Sequence, residues 1–192
     1  MMFQVRVHGR GGLATVTTTE LLAIACFLEG RYAQVLPRFP IEAAGEPAEA
    51  GCRIADVPIR GRERVHHPDA VIVQDTTVRT QVDVFAGLSP GGYALIDSPE
   101  DKPGVEWYDE RLSLSRTAIV PATTLALAYT GRAQPAPALL GAFAALTGQV
   151  SFAAVIAAVY RRFPARLAEG DVLAARAGFG HVRATRRQLA AA

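Results

Sequence analysis

Cysteine is nearly absent. Cys26 and Cys52 are the only two in 192 residues. Neither belongs to a CxxC or to a metal-type cluster, so both read as buried structural thiols of a reducing compartment. An iron–sulfur cluster needs about four thiolates, which this chain cannot supply alone. Lysine is scarcer still. Lys102 is the only one among 20 basic residues, and the rest are arginines. They are scattered, with no aromatic stacking pattern among them. With 18 acidic residues opposing them the net charge is only +2, so no nucleic-acid partner is expected.

No apolar run approaches the roughly 20 residues of a membrane span. The first residues read as a strand and lack the basic region and long apolar core of a signal peptide. A cytoplasmic location is the expectation. No Gly-Asp-Gly thiamine motif occurs, and no acid, base and nucleophile set stands out.

Half of the residues are hydrophobic, which suits one globular domain large enough to bury a core. The expected division is residues 1–182 as that domain and 183–192 as a basic, Ala-rich tail that frays. Phe3 to Val7 alternates as a strand. Thr15 to Glu29 is helical, and Arg31 to Leu36 is a second strand. Pro37 to Pro47 carries three prolines and Gly45 and reads as a long loop. Gly51 to Ile54 and Pro58 to Arg60 suggest a hairpin around Ala55-Asp56.

Ala70 to Val73, Tyr93 to Ile96 and Thr117 to Val120 are short continuous apolar runs, the pattern of buried parallel strands. Val82 to Leu88 reads as a short helix. From Pro121 the chain is helical: Thr123 to Tyr129 stopped by Gly131, Leu139 to Thr147 stopped by Gly148, Phe152 to Arg162 capped by Ser151, and Arg166 to about Phe179. Alternating strands and helices predict an α/β fold. Its sheet is mainly parallel, open and flanked by helices, Rossmann-like, with a helical C-terminal third.

The most informative segment is His8-Gly9-Arg10-Gly11-Gly12-Leu13-Ala14, between the first strand and the first helix. A glycine turn permits close backbone approach, helix N-terminal amides favour an anion, and Arg10 adds a full positive charge. Gly9, Arg10, Gly11 and Gly12 are therefore the candidate binding residues. Gly9-x-Gly11-x-x-Ala14 also matches a dinucleotide fingerprint, but the acidic residue wanted after the second strand is missing; Arg38 stands near that place. Asp75 and Asp97 end strands, where they either cap the next turn or face a ligand. His66-His67 and the Arg60, Arg62, Arg64 run read as solvated or interface residues. No metal ligands and no catalytic residue are assigned.

Three stretches then carry a family resemblance over at least Phe3 to Gly180. They are Phe3 to Gly12 with Glu20-Leu21-Leu22-Ala23; Asp69 to Asp75; and Leu140 to Gly148 with Arg162-Phe163-Pro164 and Glu169 to Val172. Together they resemble the gamma subunit of 2-oxoacid:ferredoxin oxidoreductases of the pyruvate synthase kind. The resemblance implies a non-redox subunit of a complex that decarboxylates a 2-oxoacid oxidatively to an acyl-CoA, with ferredoxin or NAD as acceptor. It implies alpha, beta and delta partners and, with NAD, a flavin subunit. Thiamine diphosphate and [4Fe-4S] clusters would reside in those partners, coenzyme A would be co-substrate, and this chain alone would be inactive. Gly9 to Gly12 would then face the coenzyme A side of the active site or a subunit interface.

The sequence departs from the family pattern at Leu13-Ala14, which replaces Gln-Gly, and at Ala43-Ala44, which replaces two arginines. Glu42, Gly45 and Pro47 keep the frame of that second loop. A purely structural or assembly subunit with a lost coenzyme A contact is the alternative. A stand-alone nucleotide-binding enzyme is a third.

Overall fold

The computed structural model describes residues 2–11, 15–37, 45–99 and 109–191. Six strands form one sheet: β1 (Met2–Arg10), β2 (Tyr32–Pro37), β3 (Pro47–Ala55), β4 (Ala70–Val73), β5 (Tyr93–Asp97) and β6 (Thr117–Val120). Five α-helices accompany them among the described residues: α1 (Thr15–Leu28), α2 (Ala122–Thr130), α3 (Ala136–Thr147), α4 (Phe152–Arg162) and α5 (Ala165–Ala191).

The strand order is β2-β3-β1-β4-β5-β6. β1, β4, β5 and β6 run parallel, while β3 lies antiparallel to both β1 and β2. The mixed α/β class and the mainly parallel sheet are thus as the apolar runs predict.

Alternation along the strands sorts the side chains. Val5 and Val7 of β1, Cys52 and Ile54 of β3, Ile72 of β4 and Leu95 of β5 join the helices in the larger core. On the opposite face Val71, Val73, Ala94 and Ile96 pack beneath Val78, Val84 and Phe85, which come from the connection after β4. That connection contains a 3₁₀ helix at Thr76–Thr80, capped by Asp75. Helices therefore cover one face, and irregular segments cover the other.

The helix stops follow local chemistry. Gly131 and Gly148 close α2 and α3 in the left-handed conformation, and the Ser151 hydroxyl accepts a bond from the Ala154 amide to start α4.

Four expectations are corrected. β1 runs on through Gly9 and Arg10, so these two residues belong to a strand rather than a turn. Gly9 pairs with Ala48 and Arg10 with Pro47 of β3, and that ladder overrides the turn preference of glycine. No hairpin forms at residues 51–60. β3 is instead one nine-residue strand paired on both sides, and Pro58 to Arg60 are irregular. The predicted helix at 82–88 is a series of turns, because Val84 and Phe85 are drawn onto the sheet. Last, α5 does not end near Phe179. It continues to Ala191, so the segment read as a fraying tail is helical as far as that residue. Arg183, over the Phe179 ring, and Arg186, on the carbonyls of Ala145 and Leu146, hold that continuation in place.

Candidate functional site at the strand ends

The parallel register puts the C-terminal ends of β1 and β4 side by side, since His8 is level with Val73. The Gln74 amide donates to the His8 carbonyl at 2.7 Å. Open α/β sheets bind ligands along this edge. Gly9, Arg10 and Gly11 lie there; Gly12, Leu13 and Ala14 fall outside the described residues, as do Arg38, Glu42 and Ala43-Ala44.

Gly9 is held by packing. A Cβ built on it would stand 2.9 Å from Thr15 Cγ2 and 3.4 Å from Gln74 Cβ. Its place in the fold needs glycine because the first turn of α1 and the end of β4 both press on it. Gly11 extends the antiparallel ladder beyond β1. Its amide donates to the Glu46 carbonyl at 2.8 Å, and the Gly45 amide donates to the Gly11 carbonyl at 3.2 Å.

Arg10 binds three segments together. Its Nη1 donates to the Gly45 carbonyl at 2.6 Å, and its Nε donates to Thr77 Oγ1 at 2.7 Å. Asp75 Oδ2 lies 3.7 Å from the same Nε. Asp75 in turn accepts from the Thr77 amide at 2.8 Å and from the Thr77 hydroxyl at 2.6 Å. The side chain of Arg10 is about a quarter exposed. A guanidinium has five N–H donors, so one arginine can brace the edge and still present donors outward.

Asp97 ends β5 and caps the first turn of α2. It accepts from the Thr123 amide at 3.1 and 3.2 Å and from the Thr123 hydroxyl at 2.5 Å. Burial pushes its carboxyl up to about 6, against the lowering pull of those donors, and the nearby charge of Asp75 raises it slightly further. Both aspartates thus serve as caps, the plainer of the two roles open to them.

On the sheet face opposite the α-helices stands a second polar constellation that the residue pattern did not single out. Arg6, nearly buried, donates through Nε to His8 Nε2 at 3.0 Å. Its other nitrogens bind the carbonyls of Val65, Val84 and Ala86. His8 Nε2 is then an acceptor, so the ring carries its proton on Nδ1. These residues, with Glu49, Arg64, His66 and Asp83, line a groove of about 470 Å³. The signal was present in the alternation Gln4, Arg6, His8 between Phe3, Val5 and Val7.

His66 and His67 are exposed. Cys26 and Cys52 are both fully buried and unpaired by a disulfide. No cluster of three metal-type ligands occurs among the described residues. No helix there is long and apolar enough to cross a membrane.

Fold and strand ends define an open α/β domain that is not a dinucleotide-binding βαβ unit. Such a unit would place a parallel second strand beside β1 and its first glycine in a turn. Here an antiparallel strand holds that place and Gly9 sits in a ladder. The family model described as pyruvate ferredoxin/flavodoxin oxidoreductase matches residues 4–180. The common gamma subunit of pyruvate/ketoisovalerate oxidoreductases from Thermococcus litoralis is 39% identical over 180 residues, covering 93% of this chain and 96% of that one. Pyruvate synthase subunit PorC from Methanothermobacter thermautotrophicus is 36% identical over 185 residues, covering 96% and 98%. The crystal structure of pyruvate oxidoreductase subunit PORC from Thermotoga maritima matches with a TM-score of 0.77 at 28% identity, covering 94% of this chain and 96% of that one. The chain belongs to the pyruvate ferredoxin/flavodoxin oxidoreductase family, and its likeness is to the gamma-type subunits.

Proposed function

We propose that this chain is the non-redox gamma subunit of a multi-subunit 2-oxoacid oxidoreductase. The complex oxidatively decarboxylates a 2-oxoacid to an acyl-CoA and passes electrons to ferredoxin, or to NAD through a flavin subunit. The observation that carries this reading is the near full-length match to gamma-type relatives in both sequence and fold.

Thiamine diphosphate and [4Fe-4S] clusters belong, on this reading, to alpha, beta and delta partners, where they supply carbanion stabilisation and electron transfer. Two buried thiols in this chain suit that division. The complex would work in the cytoplasm. The domain would span residues 1–182, with 183–192 as a basic, Ala-rich extension.

Gly9, Arg10, Gly11 and Gly12 face the coenzyme A side of the active site. The Arg10 side chain, about a quarter exposed, lies at the strand ends, where a phosphate would add charge-assisted bonds. The purely structural reading also has an observation in its favour. Arg10 already braces Gly45, Thr77 and Asp75 within the chain.

Expression of this chain with its partner genes tests the proposal. The assembled complex should release CO₂ from a 2-oxoacid only with coenzyme A and an electron acceptor. The chain alone should be colourless, bind no thiamine diphosphate and be inactive. Turnover or stoichiometric iron in the isolated chain would overturn it.

A further inference from the structure

Between β3 and β4 the chain has no helix and no strand, yet it is firmly held. Buried Arg53 donates to the carbonyls of Gly61, Glu63 and Arg64 at 3.3, 2.7 and 3.3 Å. Arg6 donates to the Val65 carbonyl and Gln4 to the His67 carbonyl. Val65 itself is buried over Gly51, where a Cβ would come within 2.8 Å of its Cγ2. Five backbone carbonyls and one apolar side chain thus fasten residues 61–67 to the open face of the sheet.

The outward side of this segment is cationic. Arg60, Arg62, Arg64, His66 and His67 are all exposed. Carboxylates around the strip are engaged elsewhere or within it, Asp83 of the adjoining groove with Arg111. Asp56 pairs with Arg31 at 3.0 Å, Glu63 with Arg53 at 3.5 Å and Glu49 with Arg64 at 3.5 Å. Arg60 and Arg62 have neither a hydrogen bond nor an ion pair among the described residues. Arg60 and Arg62 are therefore unopposed arginines on a strip whose backbone is fastened to the sheet, in a chain of net charge only +2.

We propose that residues 60–67 form a docking strip for an acidic segment of a partner subunit in the oxidoreductase complex. This rests on the subunit reading above. Guanidinium forks match carboxylates in pairs, and a pre-fastened backbone lowers the ordering cost of docking. The strip holds no Phe, Tyr or Trp, and the chain's net charge is only +2, which favours an acidic polypeptide over a nucleic acid.

Tagged wild-type chain and an Arg60→Glu/Arg62→Glu variant should each be co-expressed with the partner genes and recovered at about 50 mM and about 500 mM NaCl. At the lower salt the variant should retain roughly tenfold less of the larger subunits, and the milder Arg60→Gln/Arg62→Gln should fall between it and wild type. The difference should shrink at the higher salt. A control, Arg161→Glu/Arg166→Glu, should match wild type, and circular dichroism of the variants should be unchanged. Equal retention by variant and wild type overturns the strip, as does an equal loss in the control. So does intact assembly with a raised KM for coenzyme A, which would make the strip an anion site. Failure of wild type itself to recover larger subunits would overturn the subunit reading instead.

Discussion

Gly141 of α3 lies directly against the backbone of Ala175 in α5, and Gly178 of α5 lies in the same way against Ala138 of α3. A Cβ on either glycine would collide with a carbonyl oxygen, not with the movable end of a side chain. The two helices therefore cross through a pair of reciprocal glycine–alanine contacts, and no rotamer change can relieve a larger residue there.

Gly141→Ala should destabilise the chain. Helix propensity alone would favour alanine by about 1 kcal/mol, but overpacking against backbone costs about 1–3 kcal/mol or more and wins. Gly180→Ala is the matching control, since nothing stands within 4 Å of its Cβ position in the same helix. It should stabilise by about 0.5–1 kcal/mol. Urea midpoints of the two variants should move in opposite directions; movement of both in the stabilising direction would show that α3 and α5 do not meet so closely.

Asp97 gives the fold a pH dependence. Its carboxyl is raised to about 6 chiefly by burial, so the folded state holds its proton more tightly than the unfolded chain. The stability this contributes is complete below the unfolded value near 4 and is lost as pH rises through about 6. Asp97→Asn keeps an acceptor for Thr123 and removes the charge. It should therefore be more stable than wild type at pH 8, by about 1–3 kcal/mol, with the advantage gone near pH 4. Paired denaturation curves at the two pH values measure this; an advantage that grows on acidification would reverse the assignment.

The thiols should be silent until the fold opens. Burial raises Cys26 to about 12 and raises Cys52 as well, so neither forms the reactive thiolate at neutral pH. A thiol reagent at pH 8 should find about zero groups in the native chain and both in urea. Rapid native labelling of Cys52, central in β3, would contradict its place in the sheet.

Much of the fold was legible because its signals are local. The runs at Ala70–Val73 and Ala94–Ile96 are apolar throughout, as strands covered on both faces must be. Ser151, Gly131 and Gly148 mark helix ends by their own chemistry. The misreadings share another cause, which is partnership across long sequence distances. Pro47-Ala48-Glu49-Ala50-Gly51 has little strand preference, and only its ladder with β1 makes it β3. The same ladder carries Gly9 and Arg10 out of the turn that their composition suggests. The candidate site was half visible. Arg10 at the strand end could be read from the sequence, but Thr77 and Gly45 as its partners could not.

Arg10→Ala separates the two roles open to the strand-end residues. Each charge-assisted bond to a phosphate is worth roughly 1.5–3 kcal/mol, while helix N-terminal amides add only about 0.3–1 kcal/mol. On the proposed reading, with Ala43 and Ala44 in the second loop, affinity for a phosphate would lean on Arg10. In the assembled complex the substitution should raise the KM for coenzyme A by roughly tenfold to a hundredfold and leave the KM for the 2-oxoacid nearly unchanged. The internal brace is lost in the same variant, so Thr77→Val provides the comparison. It removes the Arg10 Nε partner at 2.7 Å and leaves the guanidinium in place. If Thr77→Val mimics Arg10→Ala in both kinetics and assembly, Arg10 acts by holding β1, Gly45 and Asp75 together. A coenzyme A defect confined to Arg10→Ala assigns the guanidinium to the acyl carrier.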